Sequence, residues 1–167
     1  MTRRLRSHSQ AGTLTVLWAT VLALASVAPR ADAAMVEQTL QQLTAQADRI
    51  VQGSVLATAS QWDASHSYIF TTVALRASEV IKGTIAVDST VLVVVPGGEV
   101  GGVGYGVEHA PHFTRGEAAI VFLTDLGDGR FRVTGWEQGK FTVNNNKVVE
   151  KRISVQQFKD QIREALK

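Results

Sequence analysis

The residues of this chain that could do chemistry gather in a single stretch. Glu108-His109-Ala110-Pro111-His112 sets two imidazoles and a carboxylate close together, and these are groups that zinc accepts as ligands. Pro111 forbids the helical i, i+4 presentation that aims two histidines at one ion, and no third ligand is strongly placed nearby. The pattern predicts surface histidines, with no metal and no cofactor. The serines of residues 34–167 are Ser54, Ser60, Ser65, Ser67, Ser78, Ser89 and Ser154, and none sits in a G-x-S-x-G turn. Ser65-His66-Ser67 joins hydroxyl to imidazole in sequence only, inside an expected loop. Glu99, Glu108 and Glu117 are close enough in the chain to raise glycoside chemistry. A small barrel offers little cleft for a sugar chain, however, and Glu117 at a strand start reads as a solvent-facing or turn-capping residue. No catalytic set is assembled, so no catalytic residue is assigned and an enzyme is not the expected class.

Residues 97–106 hold six glycines. Such a run could cradle an anion through its backbone N–H groups. A phosphate loop also needs Lys-Ser/Thr and a following helix, and both are missing here. The segment therefore reads as a bulged hairpin or a loop. Glycine at this density forgoes side-chain packing, and close backbone approach is a use that would justify it. The expected binding rim is Gly97, Gly98, Glu99, Gly101, Gly102 and Tyr105, continued by Glu108, His109, His112 and Phe113. Trp62 and Trp136 fall near expected strand ends, where they pack in the core or on a rim.

Several elements must position this rim. Residues 35–47 place Leu40, Leu43 and Ala47 at helical spacing. Ile50, Val51, Val55 and Leu56 start a first strand with Gly53 inside it, where a bulge is expected. Residues 68–80 alternate, with Ile69, Thr71, Val73, Leu75 and Ala77 on one face. Residues 91–95 are a continuous apolar run, which predicts a strand buried on both faces, stopped by Pro96-Gly97-Gly98. Residues 118–124 give a further strand. Asp128-Gly129 then turns into residues 130–136, and residues 140–143 lead through three asparagines to Val148-Val149. Ser154 with Gln157 predicts a capped final helix whose apolar face is Val155, Phe158, Ile162 and Leu166. The expectation is a mostly β chain, a small antiparallel OB-like barrel with a short N-terminal helix and a C-terminal helix.

The first 33 residues read differently. Arg3, Arg4 and Arg6 precede an apolar run over residues 14–28, and Ala31-Asp32-Ala33 offers small residues where a signal peptidase cuts. The run is shorter than the ~20 residues of a membrane span. Residues 1–33 are thus expected to be a signal peptide and 34–167 a single barrel-like domain, secreted or periplasmic and free of the membrane after cleavage. Cleavage would remove four of the 17 basic and one of the 15 acidic residues, leaving a formal charge of −1. That balance gives no electrostatic reason to expect nucleic acid. The chain has no cysteine, so its hydrophobic core alone must hold it, and thiol chemistry is excluded.

Ala47-Asp48-Arg49-Ile50-Val51-Gln52-Gly53-Ser54-Val55, followed by residues 71–75 and Glu79-Val80-Ile81-Lys82-Gly83, resembles the opening of netrin-like domains. That group includes the tissue inhibitors of metalloproteinases. The resemblance implies an OB-type barrel. In that family a mature N-terminal cysteine chelates the protease zinc, and this chain has none, so no functional residue carries over. Pro96-Gly97-Gly98-Glu99-Val100-Gly101-Gly102, Ala110-Pro111-His112-Phe113, Gly116-Glu117, Phe122-Leu123 and Gln138-Gly139-Lys140-Phe141 are similar to a group of uncharacterised exported bacterial proteins with the same opening. The expected function is a non-enzymatic module that binds a protein partner outside the cytoplasm. The alternatives are an inhibitor or accessory factor of a secreted protease, and a small hydrolase or metal-dependent enzyme using His109 and His112.

Overall fold

The computed structural model describes residues 35–167, and the compact fold is built from Glu37–Lys167. The expected signal segment and the cleavage point before Ala34 lie outside the described residues.

Helix α1 runs over Leu40–Gln46. It starts later than the apolar spacing suggested because Thr39 caps it. The Thr39 hydroxyl accepts from the Gln42 N–H, and the Gln42 side chain accepts in return from the Thr39 N–H. At the other end the Lys82 ammonium donates to the carbonyls of Thr44 (2.7 Å) and Ala47 (2.6 Å), which lack partners within the helix.

The barrel consists of β1 (Arg49–Trp62), β2 (Ile69–Lys82), β3 (Thr90–Pro96), β6 (Ala118–Asp125) and β7 (Arg130–Val133). Neighbours follow in the order β1-β2-β3-β7-β6, and β6 pairs again with β1 to close the ring. Every pairing is antiparallel except β3 with β7. This is a mostly β chain forming a closed five-stranded, OB-like barrel with a helix before and a helix after it. Two shorter strands, β4 (Gly98–Val100) and β5 (Val103–Tyr105), form a separate hairpin between β3 and β6. After β7 come a 3-10 turn (Trp136–Gly139), β8 (Lys140–Asn144) on the edge of β6, β9 (Lys147–Val148), β10 (Ile153–Ser154) and α2 (Val155–Ala165). The expected strand over 130–136 ends early, at Val133, and Trp136 belongs to the 3-10 turn. Helix α2 carries the expected capping box of Ser154 and Gln157.

The core has two parts. Inside the barrel lie Val51, Val55, Val73, Leu75, Val91, Val93, Val95, Val121 and Leu123. Outside it, under the helices, lie Leu43, Ile50, Ile120, Phe122, Phe141, Phe158 and Ile162. The strand buried on both faces is therefore β6, whose alternate residues enter both clusters. The expectation that residues 91–95 would be buried on both faces fails. Val91, Val93 and Val95 point into the barrel, while Leu92 is 38% exposed and Val94 half-buried. The helices cover the outer side of β1 and β6, and no described element of the fold covers Leu92. Leu166 also departs from expectation. It caps the end of α2 and is 39% exposed, whereas Val155, Phe158 and Ile162 are buried.

Candidate functional site

The site begins where β1 parts from β6. Residues 49–54 of β1 pair with β6, and the last links are Val55 N–H to the Glu117 carbonyl and Gly116 N–H to the Val55 carbonyl, both 2.8 Å. The register with β2 shifts between Val55 and Ala57. A one-residue shift flips which side chains face inward. Beyond it Thr58 and Ser60 take the inward positions that Val51, Gly53 and Val55 hold before it. The interior of the barrel thus changes from aliphatic to hydroxyl-lined at one end.

A cleft of about 340 Å3 occupies this mouth, within the size range of small ligand pockets. Thr58, Ser60, Thr71, Val73 and Val95 line its depth, Gly97, Gly98 and Tyr105 its hairpin side, and Ala110, Pro111, His112 and Phe113 the opposite wall. The Thr71 hydroxyl donates to the Gly97 carbonyl at 2.7 Å and lies 2.9 Å from the Ser60 hydroxyl. Thr71 has one proton to give, so Ser60 donates to Thr71. This chain of bonds ties the hairpin base to both strands. Gly98 sits so close above it that a β-carbon there would collide with both hydroxyls. The hairpin turns through Gly101 and Gly102, at φ 60° and 82°, the two-residue turn that suits twisted strands. Its strands expose Val103 (51%) and Tyr105 (36%), and Tyr105 meets Tyr68 edge-on at 5.9 Å.

The opposite wall is anchored from beneath. Glu117 and Lys140 form an ion pair with both side chains largely buried, and the Lys140 ammonium lies 5.2 Å from the Phe113 ring centre. Glu117 also accepts from the Thr114 N–H (2.9 Å) and the Thr142 hydroxyl (3.1 Å). Burial opposes its ionisation, yet the bond and charge of Lys140 with the Thr114 and Thr142 bonds hold its carboxyl below the ordinary value. Glu117 does cap a turn, but it is not the solvent-facing residue its position suggested. Farther out, His109 Nδ1 lies 2.8 Å from Glu137 Oε1, and Nε2 lies 3.5 Å from Glu108. Among the described residues no group of three or more His, Asp or Glu is placed to hold a metal ion.

The structure brings together half of the expected rim. Gly97, Gly98, Tyr105, His112 and Phe113 line the cleft. Glu99, Gly101 and Gly102 stand on the hairpin away from it, His109 turns toward Glu137, and Glu108 lies against His109. Thr58, Ser60 and Thr71 were missed, as was Glu137. Thr71 carries a signal in the alternation of β2, on the face of Ile69 and Val73, whereas the bulge in β1 hides that of Thr58 and Ser60. Glu137 carried none, since it meets His109 across 28 positions.

The other chemical candidates are occupied. Asp63 accepts from the Ser65 hydroxyl (2.5 Å) and from the Tyr68 and Ser67 N–H groups. These bonds outweigh its slight desolvation and hold its carboxyl down to about 2. His66 stacks on Trp62. A second concavity, of about 510 Å3, lies on the outer face between Trp62, Phe70, Val94, Leu126 and Arg130, with Arg130 engaged by Asp128. The mouth can hold a ligand through hydroxyls, backbone and apolar walls. Among the described residues no imidazole is hydrogen-bonded to a serine there. No protein-family model matches the chain, and no curated protein matches it.

Proposed function

We propose that this chain is an exported, non-enzymatic binding module that engages a protein partner outside the cytoplasm. The observation that carries the reading is the hairpin β4–β5. Among the described residues it pairs with no other strand, and it exposes Val103 and Tyr105 and overhangs a hydroxyl-lined cleft at one end of the closed barrel. Loops and hairpins fixed to the ends of a barrel are where such folds present binding residues. The resemblance to netrin-like domains supports a protein rather than a small metabolite as partner. Without a cysteine, any inhibition of a protease would need chemistry other than zinc chelation by the amine and carbonyl of an N-terminal cysteine.

The test uses protein purified from cells expressing the full chain, immobilised through its C-terminus and exposed to culture fluid. Val103→Ser with Tyr105→Ala should abolish capture of the specific partner while the protein keeps a single cooperative melting transition, since the β4–β5 hairpin lies outside the barrel sheet. An identical set of captured proteins for both forms would sink the reading.

A further inference from the structure

The free side of β1 has a feature that the cleft alone does not express. Asp63 N–H donates to the Tyr68 carbonyl, which puts these opposed residues at a bonded position of the ladder, the Tyr68 N–H being taken by the Asp63 carboxylate. Bonded and non-bonded pairs alternate along an antiparallel ladder. Continuing the register, Gln61, Ala59 and Ala57 bond to β2, whereas Trp62, Ser60 and Thr58 turn their backbone groups away from it. Gly97 N–H donates to the Ile69 carbonyl at 2.8 Å, on the β3 side. Ile69 opposes Trp62, which agrees with that phase. The ladder to β6 stops at Ser54, and among the described residues no hydrogen bond reaches the backbone of Thr58 or Ser60. Leu56, Ala57, Thr58, Ala59 and Gln61 are exposed. The backbone of β1 is therefore unpaired on its outer side at Thr58 and Ser60, and residues 56–62 hold no Pro or Lys, two of the devices that blunt edges.

We propose that the open edge of β1 over residues 56–62 receives an extended, cationic segment of the protein partner as an added strand. The added strand lies in the gap between β1 and the wall at residues 110–113. Its backbone pairs with Thr58 and Ser60, and its alternate side chains enter the cleft. This inference rests on the protein-binding reading and names the form of the partner. Alternate positions of the segment are aliphatic, since they meet Val73, Val95 and Phe113 beyond the hydroxyls. The others are basic. These turn out of the cleft toward the surrounding rim, where residues 96–114 include Glu99 and Glu108 and no Lys or Arg and Glu137 stands beside His109. Arg115 follows this stretch and is exposed. Main-chain bonds supply affinity and the side-chain pockets specificity in this mode of recognition.

The probe is a synthetic octapeptide of alternating valine and lysine, added to the purified protein. Binding should slow hydrogen exchange at the Thr58 and Ser60 amides at least about tenfold, as bonded amides are protected. Thr58→Pro removes an N–H that points away from β2, a position where an edge strand tolerates proline. It should weaken the peptide about tenfold or more, while Thr58→Val, which keeps the N–H, should change affinity less than about threefold. Should Thr58→Pro misfold, a peptide N-methylated at alternate residues asks the same question of the unaltered protein and should lose binding. Unchanged exchange at both amides would overturn the proposal, as would equal losses in the proline and valine variants. So would undiminished binding of the methylated peptide or tighter binding of a valine–glutamate peptide. If Thr58→Pro still captures the partner found with immobilised protein, strand addition fails while the binding reading stands.

Discussion

The two halves of β1 share one strand and one partner, β2, yet they are built for different ends. Residues 49–54 lie between β2 and β6, with Ile50 under the helices and Val51 in the barrel, both fully buried. Residues 56–62 pair on one side only, and their inward positions carry hydroxyls in place of valines. What separates them is a one-residue register shift together with the departure of β6. The first half contributes stability by burial. The second forgoes part of that contribution and leaves backbone and hydroxyls available, which a strand used for recognition needs.

The contrast can be broken most severely in the closed half. Phe122 opposes Ile50 in the β1–β6 ladder, is fully buried and meets Phe141 at 5.6 Å. Phe122→Ala should cost about 3–5 kcal/mol, read as a lowered urea midpoint. A midpoint that does not move would mean that β6 does not hold the barrel closed.

A smaller effect is expected at the wall of the open half. Glu117→Gln leaves Lys140 without its charge partner and should cost about 1.5–3 kcal/mol at pH 7. The wild-type carboxyl titrates below its ordinary value when folded. Its contribution is thus present above the unfolded carboxylate pKa and lost as pH falls through the folded value. Urea titrations from pH 7 down to pH 3 should show the variant and the wild type converging. Parallel curves would show that Glu117 is not the group responsible.

The smallest change sharpens the comparison at the hairpin tip. Gly101 is at φ 60° with open space around it, so Gly101→Ala should cost only about 1 kcal/mol, from backbone conformation alone. A thermal melt lowered by more than about 8 °C would show that the hairpin is coupled to the barrel more tightly than its pairing indicates.

Much of this fold could be read in the chain because it is encoded locally. The Ser154–Gln157 cap, the alternation of β2 and the Asp128-Gly129 turn each depend on residues a few positions apart. The errors arise where burial is decided from afar. A run of valines in β3 cannot tell which face a helix will cover, and here α1 and α2 cover β1 and β6 instead. Leu166 continues the helical spacing, but the helix ends beneath it. The glycine-rich segment was correctly singled out as a hairpin or loop, and its neighbours Pro111, His112 and Phe113 do face the cleft. Thr58 and Ser60 opposite them are hidden because the shift after Val55 inverts the parity by which the faces of β1 are read.

The closing of the ring also governs how the chain must assemble. The β1–β2 hairpin joins neighbours in sequence and can form early. The bond from the Asp125 N–H to Asp48 that accompanies closure by β6 spans 77 positions, and the parallel β3–β7 pair needs a strand that comes later still. Non-local pairing of this kind is slow to nucleate. Until β6 arrives, both halves of β1 present an unpaired margin. During folding, other unfolded copies meet an edge about twice as long as the finished molecule retains, so crowding at that stage favours misassembly.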